Sequence, residues 1–136
     1  MTTNIADEGL VDIVTSLSMH PNLKYLDLDG NRLRKNGCKA LATLLKCSVT
    51  NIETLDLRNN ELDDEGVNIL VPSLKNCSSL DKLIMCGNSI TTKGWQQVAS
   101  ILEAPNSNLD HLRISSNIDD EAAAAFVDSL ADIGRT

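Results

Sequence analysis

Aromatic side chains are nearly missing from this chain: one Trp, one Tyr and one Phe, 2% of 136 residues. Hydrophobic residues still make up 42%, so a core can form, but it has to be aliphatic. Positive charge is also in short supply. The formal net charge is −7 and the pI about 4.6. That excludes nucleic acid or an anionic membrane as the main partner, because both are bound chiefly through clustered Lys and Arg. No apolar run approaches the roughly 20 residues that cross a bilayer. The first residues, MTTNIADEGLVDIV, have neither the basic start nor the continuous apolar stretch of a signal peptide. The expectation is a cytoplasmic, reducing setting, with Cys38, Cys47, Cys77 and Cys86 as free thiols. Their spacing is not C-x-x-C, so zinc is not indicated. There is no glycine-rich phosphate loop and no nucleophile–base pattern. The expectation is a non-enzyme with no cofactor.

What is present is a repeat. Residues 80–94, LDKLIMCGNSITTKG, carry Leu80, Leu83, Met85, Asn88, Ile90 and Gly94. Leu23, Leu26, Leu28, Asn31, Leu33 and Gly37 fall at the same offsets, as do Ile52, Leu55, Leu57, Asn60, Leu62 and Gly66. Leu109, Leu112, Ile114 and Asn117 begin a fourth copy that is one residue short after the asparagine. The asparagines stand at 31, 60, 88 and 117, steps of 29, 28 and 29. A fixed period of this length predicts a solenoid, in which each unit buries its apolar side only by stacking on its neighbours.

Taken in order, the chain divides into a half-repeat over about residues 1–20 and four repeats over about 21–48, 49–77, 78–106 and 107–136, all in one domain. In the half-repeat, Leu10, Ile13, Val14 and Leu17 follow the spacing of one helix face, and Pro21 stops the helix. Each full repeat predicts a short strand, over 23–28, 52–57 and 80–85 in the first three, and then a helix. The inward helix residues are Cys38, Leu41, Ala42 and Leu45; then Val67, Leu70, Val71 and Leu74; then Trp95, Val98, Ala99 and Leu102; then Ala123, Phe126, Val127 and Leu130. One core column reads Ile13, Leu41, Leu70, Val98, Phe126. Pro72 inside the third helix predicts a kink or an early end. Thr91 and Asp119 are expected N-caps. The acids at 63–65 and 119–121 stand at helix starts, where the dipole favours them without a metal. Cys47 and Cys77 precede strands in neighbouring repeats, but a bridge between them is disfavoured by the compartment.

The asparagines sit where the chain leaves each strand. An amide both donates and accepts, so Asn31, Asn60, Asn88 and Asn117 read as a structural ladder satisfying turn backbone. The glycines read as points of close backbone approach at the helix starts.

This pattern resembles the leucine-rich repeat family, and its repeat length with one helix per unit is most similar to the ribonuclease-inhibitor-like subclass. The resemblance runs over residues 5–130. It implies an α/β solenoid: an open horseshoe segment with a short parallel sheet on the concave face and helices on the convex face. It also implies protein binding through that sheet and its loops, or regulation of a small GTPase or a cytoskeletal protein.

Strand alternation predicts the outward columns. They read Lys24, Glu53, Asp81, Asp110; Tyr25, Thr54, Lys82, His111; Asp27, Asp56, Ile84, Arg113; and Asp29, Arg58, Cys86, Ser115. The candidate partner-binding residues are Tyr25, Asp27, Asp56, Arg58, Lys82, Ile84, His111 and Arg113, with Tyr and Arg the types enriched at hot spots. Cys86 is expected to be exposed on the same face. For a GTPase regulator the candidates are the loop segments 29–32 and 58–61. A self-assembling fragment of a longer repeat array, associating through the C-terminal end where the last strand has an open edge, is the remaining alternative.

Overall fold

The computed structural model describes residues 7–17, 22–46, 51–105 and 107–113. Elements alternate along the chain. Helix α1 is Asp7–Leu17, and strand β1 (Tyr25–Asp27) is followed by α2 (Lys35–Lys46). Strand β2 (Thr54–Asp56) leads to α3 (Asp64–Lys75), β3 (Lys82–Ile84) to α4 (Thr92–Glu103), and β4 is His111–Arg113. The four strands form one parallel sheet in the order β1-β2-β3-β4. Its register pairs Tyr25, Thr54, Lys82 and His111 in one row, Leu26, Leu55, Leu83 and Leu112 in the next, and Asp27, Asp56, Ile84 and Arg113 in the third. These are the rows expected from the period. Each helix packs on the next in the same order, α1 on α2, α2 on α3, α3 on α4.

The strands are three residues long, shorter than the six expected. The parallel ladder nevertheless extends past them. Before the strands, Glu53 N–H donates to Lys24 O (2.7 Å) and Asp81 N–H to Glu53 O (2.8 Å). After them, Leu28 N–H donates to Asp56 O (2.9 Å) and Leu57 N–H to Ile84 O (2.8 Å).

Among the described residues the core lies between sheet and helices and is aliphatic apart from Cys38, Cys77, Met85 and the fully buried Trp95. All twelve inward helix residues expected in α2, α3 and α4 are buried. Ile13 is the exception in its column: it is 38% exposed, not core. Helix α1 has a neighbour on the α2 side only, among the described residues, so part of its apolar face stays wet. Leu17 packs against the core, and so does the half-buried Leu23. Helix α3 does not end early at Pro72; it runs to Lys75, as long as α2 and α4 at 12 residues. Pro72 and Asn68 are both exposed, so the carbonyl that loses its donor to the proline ring lies on the wet side of the helix.

Cys38 and Cys77 are buried thiols. The side chains of Leu10 and Val14 lie outside the described residues. So do Ile5, His20, Pro21, Cys47, Ile114, Ser115, Asn117, Asp119, Ala123, Phe126, Val127 and Leu130.

Candidate functional site

The site is defined by the turn that follows each strand, because that turn decides which side chains remain available on the outward sheet face. The turn is held by the asparagine ladder. Asn60, buried, donates its amide to Leu28 O (2.9 Å), Leu57 O (3.1 Å) and Arg58 O (3.0 Å), and its Oδ1 accepts from Leu33 N–H (3.1 Å). Asn88 repeats this one unit on, donating to Leu57 O and Met85 O and accepting from Asn60 N–H (3.2 Å) and Leu62 N–H (3.1 Å). Asn31 donates to Leu28 O (3.0 Å). One amide thus ties two consecutive turns together.

The residue before each described ladder asparagine has positive φ: Gly30 at 77°, Asn59 at 53° and Gly87 at 72°. Gly and Asn are the residues that adopt this conformation at least cost. At Gly87 a Cβ would also lie 2.2 Å from Asn59 Oδ1. This Gly/Asn column was legible in the sequence as the residue preceding the first three ladder asparagines; Ser116 stands there in the fourth copy.

Four residues before the asparagine stands the last strand residue, and here the expected site changes. Asp27 Oδ1 accepts from Asp29 N–H (2.9 Å), and Asp56 Oδ1 accepts from Arg58 N–H (3.1 Å). Both are Asx-type turns, in which a carboxylate caps the backbone two residues on. Asp56 is 0% exposed, and its carboxylate also holds the Arg58 guanidinium, with Nε at 2.9 and 3.0 Å and Nη2 at 2.7 Å. Hydrogen bonding and charge from Asp56 raise the Arg58 pKa above its usual value, so the guanidinium stays charged throughout. Asp29 stands 3.7 Å from Arg58 Nη2 and accepts from Asn59 Nδ2 (2.9 Å).

Two of the expected contact residues are therefore corrected outright. Asp56 and Ile84 point to the outward side but are buried, Ile84 at 7%. They lie in the middle of the sheet, flanked in register by strands on both sides. Asp27 is half-buried and occupied by its turn, and Arg58 is folded onto its own strand. Cys86 is half-buried rather than freely exposed.

The opposite end of the face is open. Lys24, Glu53, Asp81 and Asp110, which immediately precede the strands, are all exposed. Beside them Tyr25 is 56% exposed, His111 is exposed and Lys82 is half-buried, and Arg113 is exposed in the turn-side row of β4. His111 Nδ1 lies 3.8 Å from Asp81 Oδ1, a charge pair only when the ring is protonated. Tyr25, Lys82, His111 and Arg113 are thus brought onto one accessible surface. They span the sheet from β1 to β4.

The turn edge expected for a GTPase regulator is engaged in part: Asp29 and Arg58 as above, while Arg32 is exposed. Glu61 pairs with Arg34, and Lys35 Nζ pairs with Glu65 at 2.8 Å across the same seam. In the next seam Asp64 takes the backbone N–H of Thr91 (2.8 Å) and the Thr91 hydroxyl. Thr91 is the N-cap residue of α4 as expected, but its side chain makes no capping bond because Asp64 holds it. Asp63, not singled out as a cap, accepts from Gly66 N–H (2.9 Å) at the start of α3. Gly94 is required by the Asp64 latch: a Cβ there would lie 2.3 Å from Asp64 Oδ1. Among the described residues no group of three or more His, Cys, Asp or Glu is arranged to hold a metal ion, and no helix is long and apolar enough to cross a membrane.

Repeating strand–turn–helix units, a parallel sheet in sequence order and an asparagine at every described turn define a leucine-rich repeat protein. The chain belongs to the PRAME C-terminal domain family, whose model it matches over residues 4–126. It is 28% identical over 128 residues to the human NACHT, LRR and PYD domains-containing protein 13, covering 93% of this chain and 12% of that protein. It is 30% identical over 110 residues to the protein CARMIL of Dictyostelium discoideum, covering 75% of this chain and 10% of that one. The chain thus spans about a tenth of the length of these relatives. In fold it is similar to the leiomodin-1 actin-binding site 2, with a TM-score of 0.75 at 19% identity over 98% of this chain and 80% of the other.

Proposed function

We propose that this chain is a non-catalytic protein-binding module of cytoplasmic setting, an open horseshoe segment of the ribonuclease-inhibitor-like kind that presents its concave sheet to another protein. The observation that carries this reading is Tyr25: the chain's sole tyrosine, 56% exposed on a sheet face in a fold that buries its sole tryptophan. Tyrosine and arginine are the types that concentrate binding energy at interfaces, and Arg113 stands exposed at the far side of the same face. The contact set is Tyr25, Lys82, His111 and Arg113 with the flanking row of Lys24, Glu53, Asp81 and Asp110. Asp27, Asp56 and Arg58 support the turn beneath it.

The test is affinity capture with wild type against Tyr25→Ala/Arg113→Glu, with folding checked by circular dichroism. A partner held by wild type and lost by the double variant is expected; equal capture by both removes the sheet face from the reading. Actin is the first defined probe, because the fold neighbour is an actin-binding site of leiomodin-1. No co-sedimentation with actin would discard the cytoskeletal version alone. Arg58→Glu is unsuitable here, since it would leave the buried Asp56 carboxylate facing a second negative charge.

A further inference from the structure

The positive charge of this chain is concentrated in one repeat. Residues 22–50 hold six of the 12 Lys and Arg and two of the 19 Asp and Glu, a local charge of +4. The remainder holds six against 17, or −11, which together give the −7 of the whole. The six are Lys24, Arg32, Arg34, Lys35, Lys39 and Lys46, and all of them are exposed.

Five of them, all but Lys24, belong to α2 or the turn just before it. At 100° per residue, Lys39 lies 40° and Lys46 20° around the helix from Lys35, so the three lysines form one stripe along the outer face of α2. Arg32 extends the charge from the turn at the N-terminal end of the helix. The cations that face repeat two are compensated: Arg34 by Glu61 and Lys35 by Glu65. Arg32, Lys39 and Lys46 have no carboxylate in ion-pair range among the described residues. The seam between repeats therefore accounts for two of these charges and leaves the outward ones unexplained. The exposed face beside the lysines is polar, Asn36 and Thr43, with no large apolar side chain to enter a bilayer or cover an apolar partner.

We propose that the outer face of α2 is a second docking surface, separate from the sheet, and that its occupant is a short, carboxylate-rich protein segment. Charge selects the occupant. A segment of six residues feels the local positive stripe, because screening confines the field to about 8 Å at physiological salt. A long polyanion such as nucleic acid extends past the stripe to the acidic remainder of the chain and is repelled by it. Length agrees as well. Lys35 to Lys46 is eleven residues of helix, about 16 Å, the span of about five residues of extended chain.

The experiment is fluorescence anisotropy of labelled hexa-glutamate with the full 136-residue chain at low salt, and hexa-glutamine as the neutral control. Lys39→Glu/Lys46→Glu is compared with Lys82→Glu/Lys93→Glu, which changes net charge equally on the sheet face and α4. Binding to hexa-glutamate alone is expected, weakened about tenfold by the α2 pair and less than about twofold by the control pair. No binding by wild type, equal binding of hexa-glutamine, or equal loss in both pairs overturns the proposal. Lys39→Gln/Lys46→Gln serves if the charge-reversed chain fails to fold, and the same weakening is required of it. Parallel titrations use vesicles with anionic lipid and a 12-nucleotide single strand. Tighter α2-dependent binding of either would overturn the assignment to a protein segment. Tyr25→Ala/Arg113→Glu leaves peptide binding unchanged, which separates this surface from the sheet face.

Discussion

Acidic residues stand at both ends of the outward sheet face, and the two ends use them differently. Before the strands, the side chains of Glu53, Asp81 and Asp110 are in solvent. At the strand ends, Asp27 and Asp56 turn their carboxylates onto the backbone N–H two residues ahead, and Asp56 is fully buried. The residue type is the same and the face is the same. What differs is distance from the asparagine turn. Backbone that leaves a parallel ladder has donors to satisfy, and a carboxylate four residues before the ladder asparagine is placed to satisfy one. The lesson for β1 and β2 is that an aspartate at the strand end belongs to the scaffold, while an acid before the strand is free for a partner; in the same row Arg113 of β4 has no such carboxylate and stays exposed.

The sharpest way to break this comparison is at the turn itself. Asn60→Ala removes an amide that serves the carbonyls of Leu28, Leu57 and Arg58 and the N–H of Leu33. Buried groups left unpaired cost about 1–3 kcal/mol each, and solvent entering the turn offsets part of the sum. A loss of about 2–4 kcal/mol is expected in urea denaturation. Asn68→Ala, an exposed asparagine on α3, should stay within about 0.5 kcal/mol of wild type. Equal midpoints for the two variants would show that the ladder does not carry the stack.

A smaller effect tests the two carboxylate rows directly. Asp56→Ala leaves Arg58 N–H without its acceptor and returns the half-exposed guanidinium to water. About 1–3 kcal/mol is expected, the cost of one unsatisfied buried donor. Asp81→Ala removes an exposed carboxylate and should change stability by no more than about 0.5 kcal/mol. Partner binding should respond the other way round, with Asp81 mattering more. If Asp81→Ala proved the more destabilising, the division of the face into scaffold and contact rows would fail.

This division also marks how far the sequence could be read. The repeat period and the apolar columns located every described element and the register of all four strands, because stacked units must bury the same positions. Burial of Asp56 was hidden, since alternation tells which side of a sheet a residue takes but not what covers it there. The Asx turns had a signal, an aspartate four residues before the asparagine at 27 and 56 and missing at 84 and 113. Ile13 matched the periodic pattern and still lies exposed, because periodicity assumes a neighbour on both sides and α1 has one among those described. Helix α3 passed through Pro72 because the position faces water, which a sequence pattern does not weigh. The basic stripe on α2 was obscured by the net charge of the chain, an average over one positive repeat and an acidic remainder.

The smallest effect asks whether proximity to the turn matters without burial. Lys35 and Glu65 pair at 2.8 Å beside the turn edge, yet their side chains are 54% and 60% exposed. Hydrogen bonding and charge from Glu65 raise the Lys35 pKa above 10.5. A raised lysine stabilises the folded state fully below the unfolded pKa, and the contribution is lost as pH climbs through the folded one. Lys35→Met should therefore lower the urea midpoint only slightly at pH 8, and the gap should close above pH 10.5. Salt should close it too, since exposed pairs are screened within about 3 Å at 1 M. A gap as large as that of Asp56→Ala, or one that persists in 1 M salt and at high pH, would mean that the turn edge itself strengthens its contacts. A small gap that vanishes under both conditions assigns the strength of Asp56 to its burial.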